Sequence, residues 1–437
     1  MSWVSLICFG ICCAIILSVF RRGADPLSPA RVFGFVWSLA VALADLKFSA
    51  LQYVWTLDGW LLLLTGILAF LVGTFIAYVL NFGKVLVPIQ AMREMLRREG
   101  VREARLFGLI CVSVAVYCLA FLSNYLIRGW LPIFVIGKNV SRVDFNVSGL
   151  TLFLYSAAFI VYFTVLYHLQ VHGNKARKRI LATLSIVVVG SYFLLLQRFQ
   201  IIMAATICFA LLYYASRHIR VKTALPLVLA VTGFFYWMSS LRLSHLASAF
   251  LYHMAKMKFS VEYAFLTEPY MYVVMNLENF ARSVTRLDYH TYGYFTFDFL
   301  TAIAGLKYWI VDYFNLDRTP FLESGYNTYT AFWWFYSDFG VPGLALIPWL
   351  LGFGTGLLYY RMRSWPTLKN VTAYGVMVFV MFISFFVFPV MHLWFVYNIL
   401  ALYLILHWTS IPRTGSTQTP VAVARTWESN FEEEGKH

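Results

Sequence analysis

Asn327 and Asp338 stand eleven residues apart in the segment Tyr326-Asn327-Thr328-Tyr329-Thr330-Ala331-Phe332-Trp333-Trp334-Phe335-Tyr336-Ser337-Asp338-Phe339-Gly340. On a helix that spacing is about three turns, so both side chains would point to one face. A carboxylate placed there can take the proton of a hydroxyl that comes within about 3 Å. The competing reading is local: Asp338 caps a following helix, with Pro342 accommodated in its first turn. Glu278, Arg282 and Arg286 follow one another at intervals of four, and His290 continues the row. On a helix they form either an acidic-basic strip facing a substrate or an ordinary ion-pair ladder on a surface. Arg198 lies in the short turn Gln197-Arg198-Phe199-Gln200, and Arg242 follows Met238-Ser239-Ser240-Leu241. Two guanidiniums at one boundary can clamp a phosphate or pyrophosphate bidentately. They can equally be terminal arginines reaching for lipid headgroups.

The elements that would position these residues follow from composition. The chain of 437 residues is 61% hydrophobic and only 12% charged, with a mean hydropathy of +0.71. Soluble domains carry about 25% charged residues, so this chain cannot cover a water-facing surface. Continuous apolar runs point to helices rather than an alternating barrel, because backbone groups in lipid must pair internally. We expect an all-α, polytopic transmembrane bundle with spans near 2–20, 30–46, 58–80, 106–124, 149–170, 180–196, 200–216, 223–240, 341–360, 370–388 and 390–409. The first run precedes Arg21 and Arg22 rather than following positive charge, so it reads as a retained helix and not as a signal peptide. All six cysteines fall inside apolar runs, which predicts neither a disulfide framework nor a zinc site.

Charge sets the expected orientation. The loops 21–31, 81–105, 171–179, 217–222 and 361–369 and the tail from 410 hold 3, 6, 4, 3, 3 and 3 Lys and Arg, 22 of the chain's 34. Threading eleven spans puts all of these on one side, the cytoplasmic one by the positive-inside rule. The net charge of +14 is thereby read as membrane topology, not as a nucleic-acid surface. The membrane domain then covers 1–409, and the polar tail 410–437 is expected to be cytoplasmic and disordered. The segment 241–340 is the largest connection and faces outward. It is rich in Tyr and Trp, among them Tyr270, Tyr292, Tyr308, Trp309 and Trp333. Such residues prefer the headgroup level, so we expect helices lying on the outer boundary and roofing the bundle. No P-loop, H-E-x-x-H or G-x-S-x-G pattern is present.

The chain resembles the Wzy-type polymerases of O-antigen and related polysaccharides, the oligosaccharide repeat unit polymerases. The resemblance rests on five pieces in order: Asp25-Pro26-Leu27-Ser28-Pro29 followed by Val32 to Trp37; Gln197-Arg198-Phe199; Tyr270 to Asn279; Asn327-Thr328-Tyr329-Thr330; and Tyr336-Ser337-Asp338-Phe339-Gly340 with Gly343-Leu344. It implies a metal-independent glycosyltransferase, without a cofactor, in the bacterial inner membrane, with its active site toward the periplasm. A growing glycan would leave undecaprenyl pyrophosphate for the next lipid-linked repeat unit. The implied partners are undecaprenyl-pyrophosphate-linked oligosaccharides, membrane lipid and a chain-length regulator protein. By position Arg198 and Arg242 would bind the pyrophosphate, with Arg282 and Arg286 as further cations. Thr328 and Tyr336 would contact substrate, beside Asn327. The related O-antigen ligases set a His beside the Asn of the corresponding motif, where this chain has Tyr326. That leaves the general base open among Asp338, Glu323 and His290. A ligase acceptor and a lipid-linked glycan flippase remain alternative readings; the paired halves typical of transporters are not apparent.

The topology is testable directly. In a cysteine-free background, Lys258→Cys should react with an impermeant thiol reagent added from outside, and Lys369→Cys should not. Outside labelling at residue 369 overturns the threading.

Overall fold

A computed structural model describes residues 2–21, 23–135, 142–216, 233, 248–317, 320–323 and 325–411. These residues are helical, and the extended pairings among them are two isolated bridges, Ser49 with Met257 and Val101 with Ser410. Helices overlap ten of the eleven expected span positions; the eleventh, 223–240, lies outside the described residues except for residue 233, and Arg242 and the tail from 412 lie outside them too. Four stretches are long and apolar enough to cross a membrane: Leu57–Leu80, Glu103–Val135, Leu150–Gln170 and Ala331–Ser364. The other apolar helices, such as Trp3–Val19 and Leu393–Thr409, are shorter. At 1.5 Å per residue, about 17 residues rise roughly 26 Å, near the lower limit for a span.

The chain forms two units. The first comprises Met1–Phe82, Leu243–Tyr359 and Val380–Val396; the second comprises Gly83–Arg242, Tyr360–Phe379 and Tyr397–His437. In the second unit the Ala157–Gln170 helix packs against Glu103–Arg128, Lys175–Leu194 and Phe199–Ala215. Tyr214 meets Tyr374 edge-on there, and Gly375 lies over Ala210.

The core of the first unit is aromatic where three helices meet. Phe33 and Trp37 of the Pro29–Asp45 helix stack on Phe70 and Phe332, with ring centroids 3.8 and 4.4 Å apart. The Trp37 indole donates to Ser384 Oγ at 2.8 Å, which satisfies its one polar atom inside the core. The Leu57–Leu80 and Ala331–Ser364 helices come closer than side chains normally permit. A Cβ on Gly73 would sit 2.1 Å from the Trp349 carbonyl oxygen, and one on Gly352 would sit 2.1 Å from that of Phe70. Gly356 faces Ala77 in the same way, so the Gly352/Gly356 spacing forms a small-residue seam of the kind used between membrane helices.

The Thr267–Val284 helix differs from expectation. It does not lie on the surface: 13 of its 18 residues are buried, and it packs against the Pro29–Asp45 and Leu57–Leu80 helices. Gly59 faces Ala281 across this contact, where an added Cβ would meet the Ala281 Cβ at 3.4 Å. The Ala331–Ser364 helix also departs from a continuous rod. Gly340 breaks it with φ +63° and ψ −148°, a conformation that only glycine adopts without strain.

The seam yields a paired prediction. Gly352→Ala forces a methyl onto the Phe70 backbone and should lower stability by about 1–3 kcal/mol. Gly354→Ala, two residues on and open to space, should leave it unchanged or slightly raised. Thermal unfolding of the purified protein in detergent reads both; equal behaviour of the two variants removes the seam.

Candidate functional site

The residues singled out in the sequence converge mostly in the first unit, around the C-terminal half of the Thr267–Val284 helix. Asn276, Glu278, Asn279 and Ser283 are all buried on this helix; Glu278 reaches Lys47 and Gln52, and the other three reach residues 320–328. Asn279 Nδ2 donates to the Thr328 carbonyl at 2.9 Å, and its Oδ1 accepts the Glu323 backbone N–H at 3.1 Å. Thr328 hydrogen-bonds Asn276 through its hydroxyl. Tyr336 Oη donates to the Val284 carbonyl at 3.1 Å, closing the helix end. The helix thus clamps 323–328 between its amides.

The four-residue row does not form one strip. The helix ends at Val284, so Arg286 and His290 lie beyond it in exposed chain. Glu278 and Arg282 share the helix but not a partnership. Glu278 is ion-paired with Lys47 and accepts from Gln52 Nε2 at 3.3 Å. Burial pushes its carboxyl above the usual range, opposed by the Lys47 ammonium; burial likewise lowers Lys47, opposed by Glu278. Lys47 also sits over the Trp55 ring, 4.6 Å from its centroid. Gln52 in turn accepts from Tyr270 Oη at 2.7 Å, whose phenol burial pushes up to about 12. This network is a buried tie between the helix and residues 43–55, so neither the surface ladder nor the substrate strip is its role.

Arg282 instead pairs with Glu323, the two side chains being 19% and 21% exposed. Its Nε donates to Tyr53 Oη at 2.6 Å, with the guanidinium carbon 4.9 Å from that ring's centroid. Tyr326 lies nearby, its phenol pushed up to about 12 by burial and then by the Glu323 charge. Arg282, Glu323, Tyr53, Tyr326 and the exposed Asn327 form a polar, partly open patch at one end of the first unit.

Asn327 does not share a helical face with Asp338. The helix begins at Ala331, whose N–H is taken by the Ser384 carbonyl at 2.8 Å, and Asn327 lies before it in extended chain. Thr328 and Thr330 are not helical, so the eleven residues do not make three helical turns. Asp338 is fully buried. It does not cap its own following helix; it caps another segment. Its Oδ1 accepts the Phe295 N–H at 3.1 Å and the Thr291 hydroxyl, and its Oδ2 accepts the Thr296 N–H at 2.5 Å. Its backbone carbonyl takes the Tyr292 N–H at 3.0 Å. In an unbroken helix that carbonyl would look to residue 342, but Pro342 has no N–H to offer. His290 fills the space beside Gly340, its Nδ1 3.3 Å from the Ser337 carbonyl oxygen. Sequence reasoning could name Asp338 as polar and special but had no sign of a partner 42 residues upstream.

Arg198 belongs to the second unit, just ahead of the Phe199–Ala215 helix and half-buried. Gln197 beside it bonds Asn146 at 3.2 Å and Tyr192 at 3.0 Å. The next turns, with Gln200, Ile201 and Ala204, line a cavity of about 180 Å³ shared with Ala157, Val161 and Val189. Such a wall suits hydrocarbon rather than sugar.

No protein-family model, curated protein or solved structure matches this chain.

The Asp338 geometry changes what its substitution reports. Asn offers one acceptor oxygen and sets an amide donor against a backbone N–H, so Asp338→Asn should cost about 1–3 kcal/mol of stability. It should also open 288–297 to limited proteolysis. An unchanged unfolding temperature and cleavage pattern would show that these hydrogen bonds do not hold the segment.

Proposed function

We propose that the chain is a membrane glycosyltransferase of about eleven spans, which polymerises lipid-linked oligosaccharide repeat units at the outer face of the bacterial inner membrane. The observation that carries this reading is the direct hydrogen bonding between two of the segments on which the resemblance rests. Tyr270 to Asn279 and Asn327 to Thr330 are distant in sequence, yet Asn279 and Asn276 hold Thr328. A polar patch beside an apolar bundle is the surface a sugar on a lipid carrier needs.

Among the candidate bases the geometry favours Glu323. Asp338 has both oxygens engaged by protein donors in a buried setting, whereas Glu323 is partly open and oriented by Arg282. In the proposed step, Glu323 takes the proton of the acceptor hydroxyl as its oxygen attacks the donor's anomeric carbon. The bond from that carbon to the pyrophosphate oxygen breaks, and the electron pair leaves with polyprenyl pyrophosphate. Arg286, exposed and four residues beyond Arg282, would meet that developing charge. Asn327 and Thr328 border the patch as sugar-binding groups. Arg198 is a second pyrophosphate candidate on the resemblance, and the apolar cavity after it is consistent with a prenyl chain.

Reconstitution with a lipid-linked repeat unit tests the reading. Glu323→Gln keeps a hydrogen bond to Arg282 and should lower polymerisation roughly 100-fold or more, with the unfolding temperature unchanged. Normal polymer from this variant excludes Glu323 as base. A wild-type protein that makes no polymer from any lipid-linked repeat unit, but transfers glycan to another acceptor or across the bilayer, overturns the polymerase itself.

A further inference from the structure

Residues 297–314 form a hairpin of two short helices, Asp298–Ile303 and Lys307–Phe314, turned at Gly305 with φ +72°. Its base is built to be rigid. Lys307 Nζ bonds the buried Asp298 carboxylate at 2.6 Å, and Tyr294 Oη donates to the Lys307 carbonyl at 2.9 Å. Just before it, Asp338 holds the backbone of Phe295 and Thr296. The outer part is the reverse of a soluble surface. No residue of Lys307–Phe314 is buried, and Leu300, Ile303, Tyr308, Trp309, Tyr313 and Phe314 are between 53% and 69% exposed. A rigidly mounted apolar surface of this kind calls for a cover.

We infer that this hairpin is an interfacial anchor, whose cover is the lipid of the bilayer that the chain itself crosses. Three observations select lipid over a protein partner. The root of the hairpin is tied to Asp338, two residues before the break at Gly340, and the exposed apolar residues Val341, Leu346 and Leu350 begin directly after that break. The root of the hairpin is therefore held at the point on the helix where this run of exposed apolar residues starts. At about 100° per residue, Trp309, Ile310, Tyr313 and Phe314 fall within one arc of roughly 140°, with Asp312 and Tyr308 on the other side. The eight-residue helix rises only about 12 Å, so it can lie in the boundary but not span it. The indole and phenols supply apolar rings with polar tips, the chemistry of the headgroup level; Trp309 and Tyr313 stack with centroids 5.2 Å apart, forming one aromatic plate. The anchor is independent of the proposed reaction.

The full-length protein in phosphatidylcholine–phosphatidylglycerol vesicles tests it. Trp309 fluorescence is isolated as the difference between wild type and Trp309→Phe, with Trp309→Tyr giving the same difference should the first variant fold poorly. The difference signal should be quenched about twofold or more by lipids carrying a nitroxide near the headgroup, as expected for an interfacial ring. Quenching by aqueous iodide should be weak. Strong iodide quenching with no lipid quenching overturns the inference, because the face then points to water. A signal shielded from both quenchers overturns it equally, because a protein surface then covers the hairpin.

Discussion

Polar side chains on a buried helix need partners from elsewhere in the chain, and that requirement organises the first unit. The Thr267–Val284 helix brings Asn276, Glu278, Asn279 and Ser283 out of water together. A buried amide or carboxylate without a partner costs several kcal/mol in a nonpolar setting, so each needs a group delivered by another part of the chain. Residues 43–55 supply Lys47 and Gln52 for Glu278; residues 320–328 supply the partners of the asparagines and Ser283. The helix is thus a pin through two stretches of chain far apart in sequence. The open polar patch around Arg282 and Glu323 exists where the pin reaches the surface.

The second constraint is the break at Gly340. A glycine φ of +63° followed closely by Pro342 stops the hydrogen-bond ladder and leaves the Asp338 carbonyl without a helical donor. The 291–296 segment answers with its own N–H groups, and the Asp338 carboxylate accepts two more of them. One interruption therefore both ends the polar stretch of the helix and fixes the root of the aromatic hairpin. His290 is drawn into the same corner because Gly340 has no side chain to exclude it.

Much of the architecture was legible because apolar runs are a one-dimensional signal. Helix positions such as Leu57–Leu80 and Phe199–Ala215 follow from local composition alone, to within a few residues. The glycine seam was legible in principle through Gly352 and Gly356, whose spacing carries meaning once the facing helix is known. The candidate site was less so. The four-residue row from Glu278 ran past a helix end marked by no glycine or proline: Val284 gives way to Thr285, and Arg286 and His290 fall outside. The Asn327–Asp338 spacing assumed helix through a stretch of Thr and Tyr that the structure leaves extended. Both errors arise from applying a local period across a helix boundary where tertiary hydrogen bonds intervene: Tyr336 to Val284 for the row, and Ser384 to Ala331 with Asn279 to Thr328 for the spacing.

The two carboxylates among the candidate bases are separated by this same logic. Asp338 accepts three donors from one short segment, and a carboxylate so engaged would have to release backbone N–H groups to bind a substrate hydroxyl. Those N–H groups would then be buried without partners, at a cost of about 1–3 kcal/mol each. Glu323 faces no such exchange: its bond to Arg282 is to a side chain at partial exposure, where water can replace one partner as a substrate displaces it. A base must change partners during a reaction, whereas an anchor must not. Burial and the identity of the donors, rather than the residue type, assign Asp338 to the anchor, and in the proposed reaction they favour the open pair.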